Sequence, residues 1–359
     1  MLRMFNGASS ATTAQLTMDD GTDNEMQTRL SLITKIRKEL DFKRRTGFFG
    51  IYRAGFWSLL MVLDISLLQD LLHKLQTLRP LPMKEKREYI RHLEHLTYAF
   101  PRFIRLFLSQ WVPDDRSSTM TTEAHSQFEI EQTKARGRDR GLCIATGVAD
   151  PEICYIVAPI ICPPESLLLL VTIVQSAEVI GWDEDFCSRI KTKLSARHKG
   201  ITTLMTNMLC LSRQLEPSWS EGLFALEPLE SLDDDSSLAI IRLRVHWLKR
   251  TRIASMASRI AKSFSTDPRD VFLEEEWSQV NSRPIKDGSV IEISAESQDQ
   301  LPDRDLLRLR WLLMRLHALS GAPDPRIYPH GHGEIGDMMA VGGIYDDDHS
   351  EYYEEEDSM

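Results

Sequence analysis

Two groups of closely spaced basic residues have the side-chain type and spacing that suit the binding of a polyanion. The first group is Arg189, Lys191, Lys193, Arg197 and Lys199, and the second is Arg242, Arg244, Lys249, Arg250 and Arg252. Lysine and arginine bind phosphates by charge and by hydrogen bonds, so a groove lined by either group would suit nucleic acid. A solvated protein face has the same composition and is the commoner use of such clusters. Both interpretations stay open at this point.

The cysteines predict a reducing compartment. There are five, with no C-x-x-C pair, and they are Cys143, Cys154, Cys162, Cys187 and Cys210. An odd number without zinc-binding spacing favours free thiols over a disulfide framework. The first residues lack the apolar core of a signal peptide, and no uncharged run reaches the roughly 20 residues that span a bilayer. We therefore expect a protein of the cytosol or nucleus that has no membrane partner.

The charge of the chain is concentrated at its end. Of the 359 residues, those after Ala322 account for the whole formal net charge of −10, and Arg326 is the one base among them. Segment 323–359 is therefore predicted to be an acidic disordered tail, and the small polar residues of 1–25 predict a second disordered segment. Because the remainder is electrically neutral, charge excludes neither a nucleic-acid partner nor a protein partner.

The elements that would position these side chains follow from hydrophobic spacing. Apolar residues three and four apart predict helices over Met26–Leu78 and Met83–Trp111, which gives a helical region 26–112, and the polar stretch 113–137 is predicted to be a linker. Beyond it, short strands are predicted at Cys143–Thr146, Ile153–Ala158, Phe224–Leu229, Leu238–Trp247 and within 283–294. Further helices are predicted at Ser166–Trp182, Thr251–Phe264 and Asp305–Leu319. The mixture indicates an α+β fold.

Three passages between 138 and 322 share a pattern. They are RGLCIATGVADPEICYIVAP (140–159), NMLCLSRQLEPSWSEGLFALEPL (207–229) and a third from RPIKDGSVIEIS (283–294) through LPDRDLLRLRWLLMRLHALSGA (301–322). In order and spacing they resemble the nuclease domain of fungal HNH proteins. The resemblance implies an HNH-like ββα-metal core over 138–322, with added strands and a closing C-terminal helix, behind a helical N-terminal region.

The resemblance also implies a chemistry and three positions for it. In this family a histidine takes a proton from water, a divalent metal stabilises the phosphate, an asparagine fixes the loop, and a helix histidine binds the metal. The base position falls on Tyr155, the asparagine is Asn207, and the metal-ligand position falls on Glu216. Two of the three positions are therefore substituted.

A tyrosine at the base position predicts a loss of hydrolysis. With a pKa near 10, about one phenol in a thousand is ionised at neutral pH. Glu216 is the milder change, since carboxylates bind Mg²⁺ and Mn²⁺. We therefore expect an inactive nuclease-like protein, a pseudoenzyme that retains nucleic-acid or partner binding. It would need no cofactor, whereas an active enzyme would use Mg²⁺ or Mn²⁺.

Simpler roles and two alternative functions stay open. Tyr155 would serve equally as a half-buried strand aromatic, and Asn207 as a turn cap. One alternative is an active metal-dependent endonuclease that uses His198 or His246 as its base. The other is a helical protein-interaction module, which would expose an apolar stripe along Phe56–Leu75.

Overall fold

A computed structural model describes most of the predicted elements. The described residues are 19–41, 54–93 without 79, 83, 87 and 91, then 104, 108, 122–157, 184–195, 204–229, 238–248, 279–280 and 283–320. The chain divides into two units, 1–322 and 323–359, and every described residue belongs to the first. The helices predicted at Ser166–Trp182 and Thr251–Phe264 and the acidic tail lie outside the described residues, as does much of Met83–Trp111.

The N-terminal region contains helices α1 (Asp19–Asp41), α2 (Ala54–Val62) and α3 (Ile65–Thr77). Helix α1 begins inside segment 1–25, which the sequence predicts to be disordered. The side chain of Arg29 on α1 donates hydrogen bonds to the backbone carbonyls of Met61 and Leu63 at the end of α2. These bonds satisfy carbonyls that the end of a helix leaves without intrahelical donors.

The apolar side chains of α2 and α3 face the interior of the chain. Phe56 and Leu59 on α2, Leu63 between the helices, and Leu71 and Leu75 on α3 are all buried in the main hydrophobic core. An apolar stripe at these positions is therefore covered by the protein itself. An exposed stripe over 56–75 would have supported the interaction-module hypothesis, and the burial of these residues counts against it.

Helix α4 (Thr122–Arg138) occupies most of the stretch for which the sequence predicts a linker. The linker was predicted because this stretch is rich in polar residues. It is nevertheless a helix, and few of its side chains are apolar and buried. Its buried Phe128 and Ala135 form a small cluster with Tyr155 and Met208. A narrow apolar contact supplemented by buried polar bonds holds this helix in place, and hydrophobic periodicity does not detect such a contact.

The middle of the chain forms a small ββα unit. Strand β1 (Glu152–Tyr155) pairs antiparallel with β2 (Met208–Leu211), and Tyr155 stands opposite Met208. A 3₁₀ turn, η1 (Met205–Asn207), leads into β2, and the short helix α6 (Glu216–Ser220) follows it. Helix α5 (Glu184–Ser195) lies between the two strands in sequence.

The strand predicted at Cys143–Thr146 is a turn instead. The Gly147 amide donates to the Cys143 carbonyl at 2.8 Å, and the Thr146 amide donates to the Cys143 Sγ at 3.4 Å. Gly147 has a φ of +69°, which a residue with a side chain rarely adopts. The tight turn prevents an extended strand at this position.

A three-stranded antiparallel sheet completes the core. Its order is β3 (Phe224–Pro228), β4 (Ala239–Trp247) and β7 (Val290–Ala295), and a separate pair joins β5 (Gln279–Val280) to β6 (Arg283–Pro284). A second 3₁₀ turn, η2 (Gln298–Gln300), precedes the last helix, α7 (Arg304–Ser320). The strands and final helix predicted here are confirmed, and the α+β class with them. Among the described residues, no helix has the length and apolar character needed to cross a membrane.

Candidate functional site

Asn207 joins the two strands of the ββα unit through its side chain. The residue is completely buried at the end of η1. Its Oδ1 accepts from the Val157 amide at 2.9 Å and its Nδ2 donates to the Val157 carbonyl at 2.7 Å, while its own carbonyl accepts from the Ile156 amide. An amide side chain can match one backbone donor and one backbone acceptor in this way. Asn207 therefore fixes the segment that leaves β1.

The Tyr155 side chain points to α4. Its ring stacks on Phe128 with 6.0 Å between ring centroids, and its hydroxyl oxygen accepts a hydrogen bond from Gln132 Nε2 at 2.9 Å. Burial raises the pKa of this phenol to about 12, and the hydrogen bond from Gln132 opposes the rise only in part. At neutral pH about one molecule in 10⁵ would carry the phenolate. Tyr155 is thus a neutral packing residue.

Glu216 is the first residue of α6. Its Oε1 accepts from the Ser220 hydroxyl at 2.6 Å, one helical turn further on. Burial first, and then the Glu216 charge, raise the pKa of the Cys154 thiol. The structure places the three predicted positions in one ββα unit, with the Tyr155 ring against α4 and Glu216 at the start of α6.

A buried arginine closes the unit from the side of α7. Arg310 Nη1 donates to the Ile156 carbonyl at 2.9 Å and Nη2 to the Trp219 carbonyl at 2.6 Å. Its guanidinium lies over the Trp219 ring, 3.7 Å from the centroid, and the Trp219 indole N–H donates to the Tyr155 carbonyl at 2.9 Å. Burial lowers the pKa of Arg310 to about 9. Helix α7 is therefore bonded to both the end of β1 and α6.

Helix α4 holds the unit from its other side. Arg138 donates to the carbonyls of Met205 and Met208, at 3.0 and 2.7 Å, and pairs with Asp139 at 2.7 Å. Asp139 in turn accepts from the Cys210 amide at 3.1 Å. The pair is buried, so each charge satisfies backbone groups that water does not reach. Sequence reasoning missed this pair, and Gln132 and Arg310 with it, because a polar residue shows no periodicity that reveals a buried partner.

The residues at the three positions do not fit a divalent cation. The Asn207 Oδ1 accepts from a backbone amide, and the Tyr155 hydroxyl is bonded to Gln132 of α4. Glu216 alone remains, whereas Mg²⁺ and Mn²⁺ prefer several oxygen ligands in octahedral geometry. Within the ranges that the structure describes, no three His, Cys, Asp or Glu side chains are arranged to hold a metal ion.

Comparison of the chain with protein-family models, with curated proteins and with solved structures gave no match.

The basic residues predicted to bind nucleic acid are partly engaged within the chain. Arg189 and Lys193 on α5 pair with Asp305, and Lys193 also pairs with Asp303. Burial raises the pKa of Asp305, but hydrogen bonds from the two cations outweigh it and hold that pKa below its usual range. Lys191 is exposed on the same helix, and Arg197 and Lys199 lie outside the described residues. A polyanion would therefore have to compete with two carboxylates for Arg189 and Lys193.

Of the two histidines considered as a substitute base, His246 is described and His198 is not. The His246 ring lies 3.1 Å from the Glu227 carboxylate and 3.6 Å from that of Asp287. It also stacks on Trp311 with 4.6 Å between centroids. None of these three partners belongs to the ββα unit, so His246 lies among groups of the sheet and of α7.

The described cysteines are as the sequence predicts. Cys143, Cys154, Cys187 and Cys210 are all free thiols and all buried. Burial raises the pKa of the Cys210 thiol, and the Asp139 charge adds to the rise. A thiol with a raised pKa is a poor nucleophile. Cys154 and Cys210 are therefore packing residues of the hairpin.

Proposed function

We propose that residues 138–322 form an HNH-nuclease-like domain that does not hydrolyse phosphodiesters and that retains a binding role. The three quoted passages suggest the family, and the pairing of β1 with β2, followed by α6, agrees with a ββα unit. The observation that supports the loss of activity is the buried Tyr155 phenol, which contacts Phe128 and Gln132.

The chemical argument concerns the proton of the attacking water. A general base must be within hydrogen-bonding reach of that proton and must be unprotonated near neutral pH. A phenol with a pKa near 12 is protonated under these conditions, and this one is bonded to Gln132 and stacked on Phe128 of α4. The position that carries a histidine in the family therefore has neither the charge nor the orientation for the reaction.

The binding role is less specific. The resemblance favours nucleic acid as the ligand, and the exposed Lys191 on α5 is available for such a contact. A protein partner is the alternative. The neutral charge of the chain before residue 323 favours neither ligand over the other.

A plasmid-nicking assay tests the proposal. Purified full-length protein with Mg²⁺ or Mn²⁺ is expected to leave supercoiled plasmid intact, at the same level as the Asn207→Ala and Glu216→Ala variants. Nicking that requires metal and disappears in both variants would contradict the proposal and favour the active-endonuclease alternative. Nicking of equal extent in all three proteins would identify a contaminating nuclease.

A restoration variant adds a second test. In Tyr155→His with Glu216→His, both family residues return to their positions. Because the side chain at 155 points to α4, we expect the double variant to remain inactive. A gain of metal-dependent nicking would show that the two side chains can face one reacting phosphate after all.

A further inference from the structure

Helix α5 contacts α7 and buries one apolar face. The buried residues of this face are Phe186, Cys187 and Ile190, at the spacing of one helical turn. The guanidinium of Arg308 on α7 lies over the Phe186 ring, 5.0 Å from its centroid. Within 185–193, the part of α5 whose side chains are described, ionic interactions add to this apolar contact.

Those interactions are an ionic clasp, formed by Arg189, Lys193, Asp303 and Asp305. Arg189 donates from Nε and Nη2 to the two Asp305 oxygens, at 3.0 and 3.2 Å. The Lys193 ammonium reaches Asp303 at 2.8 Å and Asp305 at 2.7 Å. The two cations are four residues apart, so both project from the same face of α5. Each carboxylate thus contributes to holding α5 at the first turn of α7.

The clasp is attached to the turn that carries Asn207. The Asp303 amide donates to the Thr206 carbonyl at 2.8 Å, and the Asp303 side chain accepts from the Leu306 amide at 3.0 Å as the N-cap of α7. The same aspartate therefore caps α7, binds Lys193 and contacts the residue before Asn207. Movement of α5 and the environment of that turn are physically linked through Asp303.

The strength of the clasp depends on ionic strength. The Arg189 side chain is 49% exposed, and that of Lys193 is 25% exposed. The Debye length falls from about 10 Å at 0.1 M to about 3 Å at 1 M, so salt weakens the more exposed Arg189–Asp305 pair most and the part-buried Lys193 pairs less. The buried apolar face does not weaken with salt in this way. Salt therefore acts selectively on the clasp.

We propose that α5 is a releasable strap, which separates from α7 when the clasp is weakened and then exposes Phe186, Cys187 and Ile190. The strap is a local opening of a weakly held element, while the ββα unit stays folded. Arg189 and Lys193 become available to an external anion in the open state, whereas Asp303 and Asp305 neutralise them in the closed state. The proposal does not depend on the lost nuclease activity.

The thiol of Cys187 reports the opening. In full-length protein with Cys162→Ser, the rate of maleimide labelling at each cysteine is measured by peptide mass spectrometry as sodium chloride is raised. The clasp variant is Asp303→Asn with Asp305→Asn, in which asparagine keeps the cap of α7. The matched control is Asp299→Asn, which removes the same kind of charge from an exposed position.

At low salt we expect Cys187 in the clasp variant to be labelled about 5–30-fold faster than in the control. This ratio corresponds to a decrease of about 1–2 kcal/mol in the free energy of opening. The wild-type rate should rise with salt and approach that of the variant. An unchanged Cys187 rate in the variant, or a wild-type rate that is insensitive to salt, would overturn the proposal. A parallel rise at Cys143, Cys154 and Cys210 would also overturn it, because that result means global unfolding.

A second pair of variants tests the clasp from the other helix, in case the aspartate variant does not fold. Arg189→Gln with Lys193→Gln should accelerate Cys187 labelling to a similar extent. Lys191→Gln removes an exposed cation of the same helix and should leave the rate unchanged. Equal rates in these two proteins would contradict the proposal.

Discussion

Replacement of Asn207 by alanine should destabilise the protein by about 2–6 kcal/mol. The change removes two hydrogen bonds, of 2.9 and 2.7 Å, that the completely buried Asn207 side chain makes with the Val157 backbone. The Val157 amide and carbonyl, which are also buried, then lose these partners. A buried backbone group that loses its partner costs about 1–3 kcal/mol, and two groups are affected.

The assay is denaturant unfolding followed by tryptophan fluorescence, since the buried Trp219 is bonded to the same end of β1. The control is Arg213→Ala, which removes ion pairs from a side chain that is 72% exposed and should cost about 1 kcal/mol or less. A loss below about 1 kcal/mol for Asn207→Ala would refute the assignment of Asn207 as the residue that holds Val157.

Three further changes test other parts of the structure. In denaturant unfolding, Gly222→Ala should cost about 1–3 kcal/mol more than the control Gly288→Ala. Both glycines have positive φ, but of the two only Gly222 has side chains within 3 Å of where a Cβ would lie. Equal losses of stability would contradict this crowding. Burial raises the pKa of Asp305, but hydrogen bonds from the clasp cations outweigh burial and lower that pKa in the folded protein. Asp305 therefore contributes to folding stability above pH about 4, and this contribution is lost as the pH falls. Asp305→Asn should therefore flatten the acid side of the stability profile, and an unchanged profile would refute this. Tyr155→Phe should lower the free energy of unfolding by about 0.5–1.5 kcal/mol, because the hydrogen bond from Gln132 is lost. A variant that no longer folds would contradict this small contribution.

The parts of the fold that were predictable have a strong periodic pattern. Alternation in β4 and the apolar spacing of α7 confirm the predicted strand and the predicted closing helix. Helix α4 was not predictable in this way, because its described contacts are one small apolar cluster and polar bonds, among them those of Gln132 and of the buried Arg138. Such contacts are set by tertiary partners, which spacing along the sequence does not encode.

The candidate site was predictable as a location but not as an arrangement of side chains. The resemblance indicated Tyr155, Asn207 and Glu216, and their backbones do lie in one ββα unit. The direction of each side chain depends on strand alternation and on which helix covers each face. Gln132 and Arg310, which complete the polar contacts, came from helices that the sequence pattern left without a role at the site.

The titration of Tyr155 tests the central claim most directly. Ring-labelled tyrosine, followed by carbon NMR and assigned by comparison with Tyr155→Phe, reports the ionisation of this one phenol. The buried environment predicts a pKa near 12, well above the usual value for tyrosine. Ionisation of Tyr155 near neutral pH would mean that the residue can act as a base, and would contradict the account of a nuclease-like domain without hydrolysis.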